Sequence, residues 1–279
     1  MTIIIADTTS GLPLELAGKL GIPLIPQQVI FGEQTFQDDT ELTTAEFLKK
    51  LTTSRALPKT AAPLPLLYVP YFSEAAKTGE TILVIAPTGK MSGTIRSAET
   101  ARLDFPGVDI RIIDTLTIAG CLGQMVLAAH AQAKNGISAD QIETNIQAMI
   151  PHAKTYFVVD TLEYLQKGGR IGAAKALFGE LLQVKPILQI KDGQAASFEQ
   201  ERTKKRALAR LTELTCEQID GKAAESRLCV MHIDAEDEAQ ALRAELSSRL
   251  NIAEIPLYVL PPAIIVHAGP KAIAIGFFA

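Results

Sequence analysis

The sequence predicts an α/β fold in two domains, with a mostly parallel sheet in the first domain and an α+β arrangement in the second. Residues 2–6 and 81–86 are continuous apolar runs rich in β-branched side chains, which are typical of strands buried on both faces. These runs alternate with helical segments. Near residue 150 the alternation gives way to closely spaced strands. We therefore predict domains over residues 1–152 and 153–279.

The composition bounds the class of protein. The chain has 279 residues, 47% of them hydrophobic, with 5% aromatics and no Trp, so we expect an aliphatic core. A net charge of −4 argues against nucleic-acid binding, because neutralising phosphates requires clustered basic residues. The basic run at 202–206 fits either a solvated helix start or a docking patch for an acidic partner.

Cysteine usage and apolar run lengths predict the compartment. The three cysteines are far apart and contain no C-x-x-C pair, which favours reduced, buried thiols. Asp7 interrupts the first apolar run, unlike the apolar region of a signal peptide. No apolar run approaches the ~20 residues of a membrane span. We expect a cytoplasmic protein.

Several elements of the first half have clear signals. The predicted elements are strands at 2–6, 22–31, 81–86 and 109–113 and helices at 14–20, 94–102 and 120–134. Thr43 and Glu46 form the pattern of a capping box, with Leu42 and Phe47 as its hydrophobic staple. Residues 138–141 repeat this pattern, so each box predicts the start of a further helix.

The second half predicts a hairpin followed by alternating strands and helices. Asp192-Gly193 separates two extended runs, which is a strong hairpin signal. The predicted elements are strands at 155–159, 186–190, 194–198, 227–233, 255–260, 263–266 and 272–278 and helices at 202–219 and 235–250. In this interpretation His267 follows an apolar strand.

The usual catalytic signatures do not occur. The sequence lacks G-x-x-x-x-G-K-[ST], G-x-G-x-x-G, H-E-x-x-H and G-x-S-x-G. Its four histidines have no short metal-ligand spacing, so we predict neither a metal site nor a cofactor. Hydroxyl-bearing loops remain, each after a strand: residues 7–10, Thr60, Ser92-Gly93-Thr94 and Asp114-Thr115. Ser92 precedes a helix, where it can serve as an N-cap, hold an anion, or do both.

These loops resemble those of the DegV family, and the resemblance covers essentially the whole chain. The most specific match is the segment at 162–171, Leu-Glu-Tyr-Leu-Gln-Lys-Gly-Gly-Arg-Ile. The other matching segments are 4–9, 59–63, 83–86, 91–98, 114–115, 185–188, 267–270 and 275–276. Ala61-Ala62 departs from the family pattern, which often has Ser-Gln there.

The DegV resemblance implies fatty-acid binding rather than a complete enzyme. It implies two α/β domains with a ligand tunnel between them, holding one long-chain fatty acid. A separate kinase subunit, similar to dihydroxyacetone kinases, would use ATP and Mg²⁺ to convert the bound carboxylate to an acyl phosphate for phospholipid synthesis. Loading would involve transient contact with a membrane surface.

The resemblance also implies roles for individual residues. Thr60, Ser92 and the backbone N–H of Gly93 would bind the carboxylate, and His267 would lie beside it and assist catalysis. Further pocket residues and the kinase-facing residues follow: Thr8, Thr94, Thr115 and Gly269 in the pocket, and Arg170 and Arg202 toward the kinase.

Two other functions stay open on the residues alone. The first is a stand-alone acyl-transfer or hydrolytic enzyme that uses Ser92 and His267, with Asp7 or Asp114 orienting the histidine. The second is a carrier of another small lipid carboxylate. His267 also fits an ordinary partly buried histidine, and Arg170 fits an exposed charge on a tight turn.

Overall fold

A computed structural model describes residues 2–54, 56–177, 184–219, 221–223 and 225–279. The elements of the first half are β1 Thr2–Asp7, α1 Leu14–Leu20, β2 Leu24–Ile25, β3 Gln28–Phe31, β4 Gln34–Gln37, α2 Thr44–Thr53, β5 Lys59–Ala61, α3 Val69–Thr78, β6 Thr81–Ala86, α4 Thr94–Arg102, β7 Ile110–Asp114, α5 Ala119–Lys134 and α6 Ala139–Met149. Those of the second half are β8 Ala153–Val158, α7 Glu163–Lys167, β9 Lys185–Lys191, β10 Gln194–Glu201, α8 Lys204–Ile219, β11 Cys229–His232, α9 Glu236–Leu250, β12 Leu257–Val259, α10 Pro262–Ala268 and β13 Ile273–Phe278.

A parallel sheet forms the centre of the first half, in the order β2-β1-β6-β7. Its strands are buried on both faces: Ile4 packs with α5 and α6, and Ile5 packs with α3 and α4. This confirms the predicted α/β fold with a parallel sheet. A smaller antiparallel sheet in the order β4-β3-β5 was not predicted, and it carries Thr60 opposite Val29.

A mixed sheet forms the second half, in the order β10-β9-β8-β13-β11-β12. Only the β11–β12 pair among these described strands is parallel. The predicted hairpin is present. Strands β9 and β10 pair antiparallel, and Asp192 and Gly193 between them take the positive φ values, 50° and 77°, that a tight hairpin turn requires. The mixed sheet and its helices confirm the α+β arrangement, while the boundary after residue 152 stays a prediction.

Residues 262–268 form helix α10, so the predicted strand at 263–266 is wrong. Pro262 occupies the first turn of the helix, where its fixed φ and missing N–H carry no penalty. The carboxylate oxygen Oδ1 of Asp38 accepts a hydrogen bond of 3.0 Å from the N–H of Ala263. Gly269 then ends the helix with a φ of 74°. A buried cap from a distant residue therefore favours a helix over a strand.

The two predicted capping boxes differ in outcome. Thr43 and Glu46 cap α2 reciprocally, with both hydrogen bonds formed. At the start of α6, Ser138 accepts from the N–H of Gln141, but the Gln141 side chain donates to Asn145 instead of returning to the cap. The second box is therefore half formed.

Within the described residues, none of the helices combines the length and apolar character that crossing a bilayer requires.

Candidate functional site

An apolar cavity lies between residues of the two halves and encloses about 910 Å³ of empty space, counting its open mouth. The side chains that line its walls are mostly aliphatic: Ala61, Ala62, Ile118, Ala119, Phe157, Leu165, Ile190, Leu260, Ala263, Ile264, Ala268, Ala272 and Ala274.

The mixed sheet provides one wall because side chains alternate between its faces. Phe157 on β8 stands opposite Ala274 on β13, and both line the cavity. Ala119 at the start of α5 and Ala268 on α10 provide short side chains on other walls. Alanine at such positions leaves space that a Leu or Ile side chain would fill, so the cavity depends on where alanines fall in the fold.

Polar side chains gather at one end of this cavity. Thr60 Oγ1 lies 2.8 Å from His267 Nε2, and Ser92 and Gly93 line the same region. Gly93 has no room for a side chain, because a Cβ there would lie 2.9 Å from the Cβ of Ala62. The four residues expected to surround a carboxylate therefore lie together at one cavity.

Ser92 is held by a buried network centred on Asp7. Ser92 Oγ lies 2.9 Å from Thr94 Oγ1, and Thr94 donates in turn to Asp7 Oδ2 at 2.5 Å. Gln27 donates to the same carboxylate oxygen at 2.7 Å and to Thr94 Oγ1 at 2.8 Å. Thr94 donates its hydroxyl proton to Asp7, so it can only accept a hydrogen bond from Ser92. The Ser92 hydroxyl is therefore the donor of this pair, and it can rotate to donate to a ligand instead.

Asp7 is fully buried, and its burial raises the pKa of its carboxyl, an effect that the hydrogen bonds from Thr9, Thr94 and Gln27 oppose. Gln27 follows Pro26 in an extended segment, and no pattern in the sequence marked it as a site residue. Gly93, and not Ser92, occupies the N-cap position of α4, and it makes no side-chain capping bond. The N-cap interpretation of Ser92 is therefore wrong, although Ser92 Oγ accepts from the N–H of Thr94 at 3.2 Å.

His267 lies in the last turn of α10. Burial, with a smaller contribution from the positive charge of Arg170, lowers the pKa of His267 to about 4, so its ring is neutral near pH 7. Its Nδ1 atom is buried without a hydrogen-bond partner in the described part of the chain. This nitrogen faces Gly168, where a Cβ would lie only 2.2 Å from it. The ring therefore fits only because position 168 is a glycine.

Arg170 is half-buried and lines the cavity rather than being fully exposed. Its Nε donates to the carbonyl of Met91 at 3.1 Å, and its Nη1 donates to the carbonyl of Gly168 at 2.8 Å. These bonds connect the segment after α7 to the Ser92 loop. Arg202 is exposed after β10 and does not line the cavity.

The four further pocket residues named from the sequence do not line this cavity. Thr8 and Thr115 are buried and hydrogen-bonded to the backbone of Gln27 and Ala86, respectively. Thr94 lies behind Ser92. Gly269 lies against the ring of Tyr164, which a Cβ would approach to 2.5 Å. These residues support the fold around the cavity instead of contacting its contents.

The geometry does not form a Ser-His-Asp triad. The Ser92 hydroxyl contacts Thr94 and Gln27, while His267 contacts Thr60. The two candidate orienting carboxylates are engaged elsewhere: Asp7 in the network described above, and Asp114 with the N–H groups of Gly89 and Leu116. Within the described residues, no hydrogen bonds join Ser92, His267 and a carboxylate in the chain that such a triad requires.

Comparisons with known proteins agree with these features. A family model described as an uncharacterised protein of the DegV family matches residues 1–279. A DegV domain-containing protein of Streptomyces coelicolor is 34% identical over 274 residues, covering 98% of this chain and 96% of the relative.

Two solved structures are similar over the full length of the chain. A DegV family protein from Thermus thermophilus, described as binding fatty acid, is 30% identical with a TM-score of 0.91, covering 100% of this chain and 99% of that one. DegV of Bacillus subtilis, described as a fatty acid binding protein, is 31% identical with a TM-score of 0.89 and the same coverage. Because the family match spans every residue, this chain belongs to the DegV family.

Proposed function

We propose that the protein binds one long-chain fatty acid in the apolar cavity and presents its carboxylate to a separate kinase subunit similar to dihydroxyacetone kinases. The observation that carries this proposal is an apolar cavity with Thr60, Ser92 and a neutral His267 at one end. The similar solved structures that are described as fatty acid binding support the same ligand class.

The polar end suits an anion that must later react. A buried carboxylate requires several hydrogen-bond donors, which the hydroxyls of Thr60 and Ser92 and the N–H of Gly93 would supply. The positive end of α4 adds to this attraction. The tail would supply most of the affinity, since about fifteen methylenes at ~0.8 kcal/mol each contribute on the order of 10 kcal/mol before entropy losses.

In the proposed reaction, ATP and Mg²⁺ are held by the kinase and not by this chain. A carboxylate oxygen attacks the γ-phosphorus of ATP, a new O–P bond forms, and the bond to the β–γ bridging oxygen breaks with its electron pair leaving on ADP. The attacking carboxylate carries no proton, so no general base is required. His267 would assist by holding Thr60 in place, and the chain requires no cofactor of its own.

Arg170 and Arg202 are proposed to face the kinase. Arg170 is half-buried and lines the cavity, and Arg202 is exposed on the surface. We further place the protein in the cytoplasm, with transient contact at a membrane surface when the fatty acid is loaded. These assignments follow from the family resemblance and are consistent with the positions of both arginines.

Carboxylate recognition is tested by comparing a long-chain fatty acid with its methyl ester in equilibrium binding. We expect the wild type to bind the acid at least tenfold more tightly, because the ester offers no charge to the donors. Ser92→Ala should reduce this preference. Equal affinity for acid and ester would contradict the proposed orientation. Addition of the kinase and ATP to the loaded protein should then yield an acyl phosphate.

A further inference from the structure

A second cavity, here called the headgroup cavity, lies beside the polar end of the apolar one. It encloses about 840 Å³ of empty space, counting its open side. The two cavities share Thr60, Arg170 and His267, which therefore form the partition between them. The remaining lining residues are Leu57, Pro58, Lys59, Lys167, Gly168 and Val266.

The headgroup cavity is basic. Lys59, Lys167 and Arg170 bring three positive charges to it, and no acidic side chain occurs among its lining residues in the described part of the chain. Lys167 pairs at 2.5 Å with Glu163, one turn away on the surface of α7. Lys59 and Lys167 are both exposed, and the side chains of Leu57 and Val266 form an apolar part of the wall.

Hydrogen-bond donors remain available on these three cations. A guanidinium has five N–H groups, and Arg170 uses one on Nε and one on Nη1 for the carbonyls of Met91 and Gly168. Each lysine offers three donors, of which Lys167 gives one to Glu163. An ammonium binds phosphate as a point charge and a guanidinium binds it through paired N–H groups, and a dianion attracts both more strongly than a singly charged carboxylate does.

We propose that the headgroup cavity binds the phosphoryl group of the long-chain acyl phosphate formed on the bound acid, with Lys59 and Lys167 as its binding residues. This inference rests on the proposed function, because it takes the carboxyl carbon to lie at the Thr60–His267 partition. A phosphoryl group added to the outward carboxylate oxygen extends past that partition into the basic cavity. The protein then retains its product as well as its substrate.

The test compares two ligands of equal chain length on the full-length protein: the fatty acid, and a β-ketophosphonate that replaces the labile anhydride oxygen of the acyl phosphate with a methylene. Lys59→Gln, Lys167→Gln and the double variant remove the proposed contacts. Lys19→Gln is the matched control, because Lys19 forms a similar exposed pair with Glu15 at 2.8 Å and lines neither cavity.

We expect each single variant to weaken β-ketophosphonate binding about fivefold and the double variant more than tenfold, while fatty-acid affinity changes less than twofold. Lys19→Gln should change neither. Unaltered β-ketophosphonate binding by the double variant, or an equal loss for both ligands, would overturn the headgroup assignment. Failure of the wild type to bind the fatty acid would instead overturn the proposed function, and this inference with it.

Discussion

Gly168→Ala tests whether the position of His267 depends on the empty space above its ring. Gly168 has a φ of −76° and a ψ of −6°, which alanine adopts without strain, so the substitution acts only through its added methyl group. That methyl would lie 2.2 Å from His267 Nδ1 and 2.9 Å from the carbonyl oxygen of Tyr164. Contacts between unbonded heavy atoms are favourable near ~3.5–4 Å, so the ring must move by about 1 Å or more.

The ring cannot simply slide away from the methyl group. Its other nitrogen, Nε2, lies 2.8 Å from Thr60 Oγ1, so movement in that direction creates a new clash. The ring must swing aside and lose the Thr60 hydrogen bond, which stabilises the fold by about 0.5–1.5 kcal/mol. With the overpacking cost of about 1–3 kcal/mol, we expect a total loss of about 1.5–4.5 kcal/mol in the free energy of unfolding.

Urea unfolding and thermal melting measure this loss. At about 2–4 °C per kcal/mol for a chain of this size, Tm should fall by roughly 3–18 °C. Gly18→Ala is the matched control, because a Cβ at Gly18 meets nothing within 4 Å and alanine favours the helix there. If Gly168→Ala melted with the wild type and still formed acyl phosphate at the wild-type rate, the account of His267 positioning would be refuted.

Three further predictions concern charged groups. His267 has a pKa of about 4 in the fold and about 6.5 when unfolded, so its neutral burial stabilises the fold above pH 6.5 by on the order of 3 kcal/mol, and this is lost as pH falls toward 4. The free energy of unfolding, measured by urea titration, should therefore fall more steeply with decreasing pH for the wild type than for His267→Gln, and parallel curves would contradict this. Asp38 has the opposite pH dependence of stability, because burial raises its pKa to about 7 and stability is lost as pH rises from about 3.8 to 7. Asp38→Asn keeps an acceptor for the N–H of Ala263 and should stabilise the protein at pH 8 by a few kcal/mol. A variant that is less stable than the wild type at pH 8 would refute the assignment. Arg170→Ala should retain fatty-acid binding yet lower the rate of kinase-dependent acyl phosphate formation at least tenfold, and unchanged phosphorylation kinetics would argue against a role at the kinase interface.

The sequence predicted those features whose causes are local. Continuous β-branched runs such as Thr81–Ala86 have few alternatives to a buried strand, and Asp192-Gly193 supplies the positive φ values that its hairpin requires. Thr60, Ser92 and His267 could be named because they lie in short segments that resemble the DegV family, although only Ser92 lies in a loop after a strand. Each of these signals lies within a few adjacent residues.

The features that sequence reasoning missed depend on contacts between distant residues. Helix α10 replaces a predicted strand because Asp38, 225 positions earlier, caps the N–H of Ala263. Gln27 becomes part of the site because β1 and α4 bring Asp7 and Thr94 within reach of its amide. The cavity itself depends on alanines that any aliphatic core contains, and composition cannot distinguish a lined cavity from a filled core.

The most direct test of the central claim is mass spectrometry of the purified protein, first under native and then under denaturing conditions. We expect a native mass that exceeds the chain mass by one long-chain fatty acid, with the increment lost on denaturation and the free acid recovered in an organic extract. A native mass equal to that of the chain, with no increment after incubation with fatty acids, would contradict the claim that the apolar cavity is a fatty-acid site.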